Sequence, residues 1–197
     1  MKRAIPFVLL VLPLAACAPS SEEAGDTAPS EVVSTGQAPA ESPAERSATP
    51  VNDAKVLSLE GLGALRIGQL VPKDSGWAQR GAQVDPEGPC GTVSSPDYPG
   101  VYALTENGIV RRITIGKSSD VKLAEGIGPG ASEKTVRQWF GGFREEPHKY
   151  IEGGKYLTAP NASLGESALR FEIGGDGKVD LIHVGTMPQL GYVEGCA

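Results

Sequence analysis

Histidine and cysteine are scarce in this 197-residue chain, which holds two histidines, His148 and His183, and three cysteines, Cys17, Cys90 and Cys196. Two scattered imidazoles fall short of a metal site, which draws on three or four His, Cys or carboxylate ligands. None of Ser58, Ser94, Ser95, Ser163 and Ser167 stands in the G-x-S-x-G context of an elbow nucleophile. Basic charge is short as well: 18 Lys and Arg stand against 24 Asp and Glu, a net charge of −6. The electrostatic footprint of a nucleic-acid-binding protein is therefore missing. Beyond residue 16 no second apolar run approaches the roughly 20 residues that a membrane-spanning helix needs. The expectation is a protein without catalytic residues, metal or cofactor, and with no nucleic-acid partner.

The N-terminus is more informative. Lys2 and Arg3 precede an apolar run from Ile5 to Leu14, interrupted by Pro6 and Pro13 and followed by small residues. A basic start, a short greasy core and small residues make up a secretory signal. Leu14-Ala15-Ala16-Cys17 resembles the lipobox of bacterial lipoproteins. The resemblance implies that residues 1–16 are removed and that Cys17 carries palmitate-type acyl chains, several of which together anchor firmly. Ala18 next to it implies, by the same resemblance, the outer membrane of a Gram-negative bacterium, with the domain facing the periplasm. The plainer alternative is an ordinary secretion signal with a cysteine nearby.

Residues 18–52 contain no aromatic side chain, and six acids face Arg46 alone, a net charge of −5. Such a segment buries too little apolar surface to offset its ordering entropy. Residues 17–52 therefore read as a lipidated, disordered tether spanning roughly 30 Å. Residues 53–197 are enough for one ordinary core, or for two small repeats that share one. With Cys17 committed to lipid, Cys90 and Cys196 remain as an even pair, and a disulfide is the simplest account in an oxidising compartment. A reactive thiolate at Cys90 is the alternative, but Pro89 and Gly91 supply no activating charge.

Comparison of the chain with itself yields an internal pattern. Gly108-Ile109-Val110-Arg111-Arg112-Ile113-Thr114-Ile115-Gly116 aligns without a gap on Gly177-Lys178-Val179-Asp180-Leu181-Ile182-His183-Val184-Gly185, 69 positions on. Each block follows an apolar run and a turn: Val101–Leu104 with Asn107-Gly108, and Leu169–Ile173 with Gly175-Asp176-Gly177. Both read as antiparallel hairpins, the first through a type I′ turn. Upstream, Leu65-Arg66-Ile67-Gly68 matches Ile127-Gly128-Pro129-Gly130, with the glycines 62 positions apart. Ser132 predicts a helix N-cap, Val136, Trp139 and Phe140 recur at helical spacing, and Gly141-Gly142 ends the helix. The corresponding stretch around Trp77 is interrupted by Pro72, Gly76 and Gly81. The expected fold is α+β, two tandem helix-plus-antiparallel-sheet repeats, residues 53–117 and 118–197, forming one globular unit.

This order of elements resembles the tandem repeat of the β-lactamase-inhibitor protein family, and one copy resembles the small lipoproteins of the outer-membrane barrel assembly machinery. The resemblance implies a curved sheet backed by helices, with an open face that binds another protein. Pro147-His148-Lys149-Tyr150 and Gly153-Gly154-Lys155-Tyr156 read as a further hairpin that brings Tyr150 and Tyr156 across from each other. His148, Lys149, Tyr150, Lys155 and Tyr156 form the candidate contact surface, because Tyr offers rigid contact area with a polar tip. Alternation places His183 on the face shared with Val179 and Leu181. The leading expectation is a non-enzymatic envelope lipoprotein that binds a protein partner. Two alternatives stand beside it: a peptidoglycan or oligosaccharide binder using Trp77, Tyr150 and Tyr156, and a periplasmic hydrolase using His148.

Overall fold

The computed structural model describes residues 55–81, 83 and 85–196. The leader, the lipidation position Cys17 and the 17–52 tether lie outside the described residues. Twelve strands are named in chain order. Two small sheets come first: β1 (Val56–Leu57) lies parallel to β8 (Lys122–Leu123), and β2 (Gly61–Leu62) pairs with β3 (Leu65–Arg66). The main sheet holds β4 (Ala78–Gln79), β5 (Cys90–Ser94), β6 (Val101–Glu106), β7 (Ile109–Ile115), β9 (Arg144–Pro147), β10 (Lys155–Thr158), β11 (Ala168–Ile173) and β12 (Val179–Gly185). Its eight strands run antiparallel in the order β4-β5-β6-β7-β12-β11-β10-β9. Four strands of the first half thus meet four of the second along the β7–β12 seam.

Both expected hairpins form. Asn107 and Gly108 take φ of 51° and 77°, the doubly left-handed geometry that joins β6 to β7. Gly177 at φ 71° closes the β11–β12 turn, its N–H donating to the Gly174 carbonyl at 3.0 Å. The upstream glycines land where the alignment put them. Gly68 N–H donates to the Val110 carbonyl at 2.8 Å, and Gly130 N–H to the Val179 carbonyl at 2.8 Å. In return Val110 N–H donates to the Gln69 carbonyl, and Val179 N–H to that of Ala131, again at 2.8 Å each. Each long strand also carries one extra residue. Pairing jumps from Leu104↔Arg112 to Thr105↔Val110, and from Glu172↔Leu181 to Ile173↔Val179, so Arg111 and Asp180 are the bulged residues.

The helical expectation holds for one half only. Among the described residues α1 (Glu133–Trp139) is the one α-helix, with Ser132 Oγ accepting from the Thr135 N–H at 3.1 Å. The matching position of the first half is Leu70, which has no side-chain acceptor, and Asp74 and Gly76 then turn to φ of 58° and 76°. No N-cap forms there and the chain leaves the helical region. The domain is therefore mostly β, with a single two-turn helix in place of two helix-backed repeats. Within α1 only Val136 is buried; Phe140 packs partly on the core, while Trp139, expected on the apolar stripe, is 59% exposed.

The main hydrophobic core lies on a single face of the main sheet. Val101, Val110, Ile113, Phe171, Ile182 and Val184 meet Leu57, Leu62, Leu65, Val121, Ile127 and Val136 from the covering segments. Trp77 joins this core at 5% exposure, stacked on Tyr98 with centroids 5.4 Å apart. Where β12 passes the Arg111 bulge the backbones approach so closely that a Cβ on Gly185 would stand 2.2 Å from the Arg111 carbonyl oxygen. Glycine is the residue this crossing requires.

Candidate functional site

The opposite face of the sheet is polar and largely buried. Register alone assembles it, because directly paired residues share a face. Tyr102 pairs with Thr114, Thr114 with His183, His183 with Arg170, and Arg170 with Thr158, giving one polar row across five strands. Beside it Leu181 pairs with Glu172, Glu172 with Tyr156, and Tyr156 with Glu146. The Asp180 bulge explains a correction: Val179 turns into the apolar core, and His183 lies on the other face from it.

Glu172 is the hub of this face. Its Oε1 accepts from His183 Nε2 at 2.9 Å and its Oε2 from His148 Nε2 at 3.2 Å. His183 Nδ1 accepts from Thr114 Oγ1 at 2.9 Å, while His148 Nδ1 accepts from the N–H groups of Tyr150 and Ile151 at 3.1 Å each. Every ring nitrogen is thus engaged, and both rings carry their proton on Nε2. Burial pushes the Glu172 carboxyl up, and the two histidine hydrogen bonds outweigh it, leaving it below the ordinary carboxylate range. His183, fully buried, is pushed down to about 4 by desolvation, with the Arg112 charge adding to the effect and the Glu172 hydrogen bond opposing it. Burial also lowers Arg112 and Arg170. Two guanidinium groups beside a single shared carboxylate make this an unfavourable place for a cation. Among the described residues no group of three or more His, Cys, Asp or Glu side chains is arranged to hold a metal ion.

The candidate contact residues divide between this scaffold and the surface. His148 Nε2 reaches into the scaffold, and Tyr156, 3% exposed, is sandwiched between the His148 ring at 4.6 Å and the Arg170 guanidinium at 4.2 Å. Tyr150 is 62% exposed and does not pair with Tyr156. The expected cross-strand tyrosine pair fails because β9 ends at Pro147, opposite Lys155, and residues 148–154 form a wide loop in which His148 fills the gap. Lys155 turns aside to Glu145, at 3.1 Å, and Glu133, at 3.4 Å. Of the three aromatic residues considered for sugar stacking, Trp77 and Tyr156 are buried and Tyr150 alone is open.

A second segment, not signalled by any periodicity in the sequence, completes the surface. The C-terminal residues cross the polar face: Gln189 and Leu190 are buried, and Arg112 Nη1 donates to the carbonyls of Gln189 and Tyr192. Cys90 and Cys196 form a disulfide with Cα atoms 5.6 Å apart. Glu194 accepts from Lys149 Nζ at 2.7 Å and from the Tyr150 hydroxyl. The result is a ledge of Lys149, Tyr150, Tyr192 and Glu194, exposed side chains set on a buried, hydrogen-bonded base. Comparison with family models, characterised proteins and solved structures gives no match.

Proposed function

We propose that this chain is a non-enzymatic, lipid-anchored protein of the bacterial cell envelope that binds a protein partner through the ledge around Tyr150. The observation that carries the reading is the contrast within one loop: His148 is locked into a buried hydrogen-bonded scaffold, while its neighbour Tyr150 stands 62% exposed. A large aromatic ring presented on a preorganised base, rimmed by Lys149 and Glu194, has the chemistry of an interface anchor. The disulfide supports an oxidising compartment. The Leu14–Cys17 stretch supports the outer-membrane anchor on the periplasmic side. The saturated ring nitrogens of His148 and His183 support a binding rather than a catalytic role.

The same proposal takes the two halves as a tandem repeat in which only the second carries a helix. Its support is positional: the Arg111 and Asp180 bulges fall 69 residues apart, as do Thr114 and His183, which face each other across the β7–β12 seam. The likeness to β-lactamase-inhibitor proteins and barrel-assembly lipoproteins belongs to this proposal. The test is site-specific photo-crosslinking in intact cells, with a benzophenone amino acid at position 150 and, as control, at exposed position 164. A discrete adduct from position 150 alone is expected; equal labelling at both positions, or none at 150, contradicts the reading.

A further inference from the structure

The C-terminal segment is fastened to the sheet by contacts of three kinds, apolar, hydrogen-bonded and covalent. Leu190 is fully buried in a small apolar cluster with Ala162 and Ala168, separate from the main core. Arg112, 1% exposed, donates to the Gln189 and Tyr192 carbonyls, while its Nε has no hydrogen-bond partner among the described residues. Leu104 is 1% exposed yet takes no part in either apolar cluster, and a Cβ placed on Gly195 would stand 3.8 Å from its Cδ2. The third fastening is covalent, the Cys90–Cys196 disulfide, whose two cysteines are only half-buried. An apolar side chain and a guanidinium are thus sealed from water by the tail rather than by the core.

We propose that residues 188–196 form a redox-latched strap: oxidised, it seals Arg112 and Leu104 against the sheet, and reduced, it releases them while the sheet stays folded. The ladders that hold the sheet do not depend on the strap, since β7 pairs with β6 and β12, and β5 with β6. The reductant is a dithiol. One of its thiolates attacks a cystine sulfur and expels one cysteine thiolate; its second thiol then resolves the mixed disulfide. This chain gains two thiols and the reductant one disulfide. Thr186 N–H donates to the Arg111 carbonyl, so the oxidised strap lies within a loop of ten residues, 187–196, held at both ends. Freeing one end removes a closure constraint equivalent to about a 100-fold increase in the opening equilibrium. The latch operates whether or not Tyr150 meets a partner.

The test is hydrogen exchange read by mass spectrometry on the purified chain, oxidised and after dithiothreitol, with phenylglyoxal labelling of arginines in parallel. On reduction, the Leu190, Gly191 and Tyr192 amides should exchange about 100-fold faster, Arg112 should become labelled, and β7 and β12 amides should keep their protection. The chain carrying Cys196→Ser should behave, without reductant, as the reduced protein does. Unchanged exchange at 190–192 overturns the proposal, because the strap then holds without its latch. Loss of protection throughout the sheet, or failure of Cys196→Ser to fold, overturns it equally, because the disulfide is then a staple of the whole domain.

Discussion

Acid should weaken this domain through one identifiable side chain. His183 faces Thr114 and Glu172, with Arg112 and Arg170 nearby and His148 on the far side of the shared carboxylate. Its folded value of about 4 lies below the 6.5 of a free histidine, so as pH falls the unfolded chain takes up a proton before the folded one does. The stability that depends on neutral His183 is complete above pH 6.5 and is lost progressively down to about pH 4. Each pH unit in that window is about 1.4 kcal/mol, so the full loss is about 3 kcal/mol and the part between pH 6.5 and 5 about 2 kcal/mol. Glu172, whose value is lowered, loses its contribution only below the ordinary carboxylate value of 4.5, outside the 6.5-to-5 interval. Replacing His183 with glutamine retains a donor for Glu172 and removes the titration. Urea unfolding at pH 7.5, 6.5, 5.5 and 5 should show the native chain losing about 2 kcal/mol more than His183→Gln between pH 6.5 and 5. Parallel pH profiles for the two proteins would refute the reasoning.

Other substitutions test separate parts of the account. Gly185→Ala forces a Cβ against the Arg111 carbonyl and should lower stability by about 2 kcal/mol or more in thermal unfolding. Ser132→Ala removes the cap of α1 and should cost about 1 kcal/mol, measured by the same unfolding assay, with the sheet signal in circular dichroism retained. Tyr150→Ala deletes an exposed ring and should change stability by less than about 0.5 kcal/mol, while abolishing any adduct formed by crosslinkers placed at neighbouring Lys149.

The hairpins were legible because their turns are spelled out locally: Asn107-Gly108 and Gly174–Gly177 leave the backbone few other conformations, and the alternation on either side fixes what pairs with what. The disulfide followed from counting thiols. The bulges at Arg111 and Asp180 have no local signature, and each moves the residues beyond it to the opposite face. That is why simple alternation groups His183 with Val179 and leaves the polar row through Thr114 and Arg170 hidden. A signal for it did exist, since Arg112, Arg170 and Glu172 are charges set inside otherwise apolar strands. The first-half helix fails because Leu70 stands where a capping serine is needed and because Pro72, Asp74 and Gly76 follow it, the last two at positive φ. The C-terminal strap was illegible because nothing in residues 188–196 is periodic; its place is dictated by Arg112, some 80 residues away in sequence, whose guanidinium needs carbonyl partners.

The anchor is the claim on which the protein's location in the envelope rests, and intact-mass spectrometry of the native protein extracted from membranes addresses it directly. The account predicts a polypeptide that begins at Cys17 and carries a diacylglyceryl group and an N-acyl chain, with Cys17→Ala lacking both and moving to the soluble fraction. A native chain found in the soluble fraction with its mass starting at Met1 would contradict it.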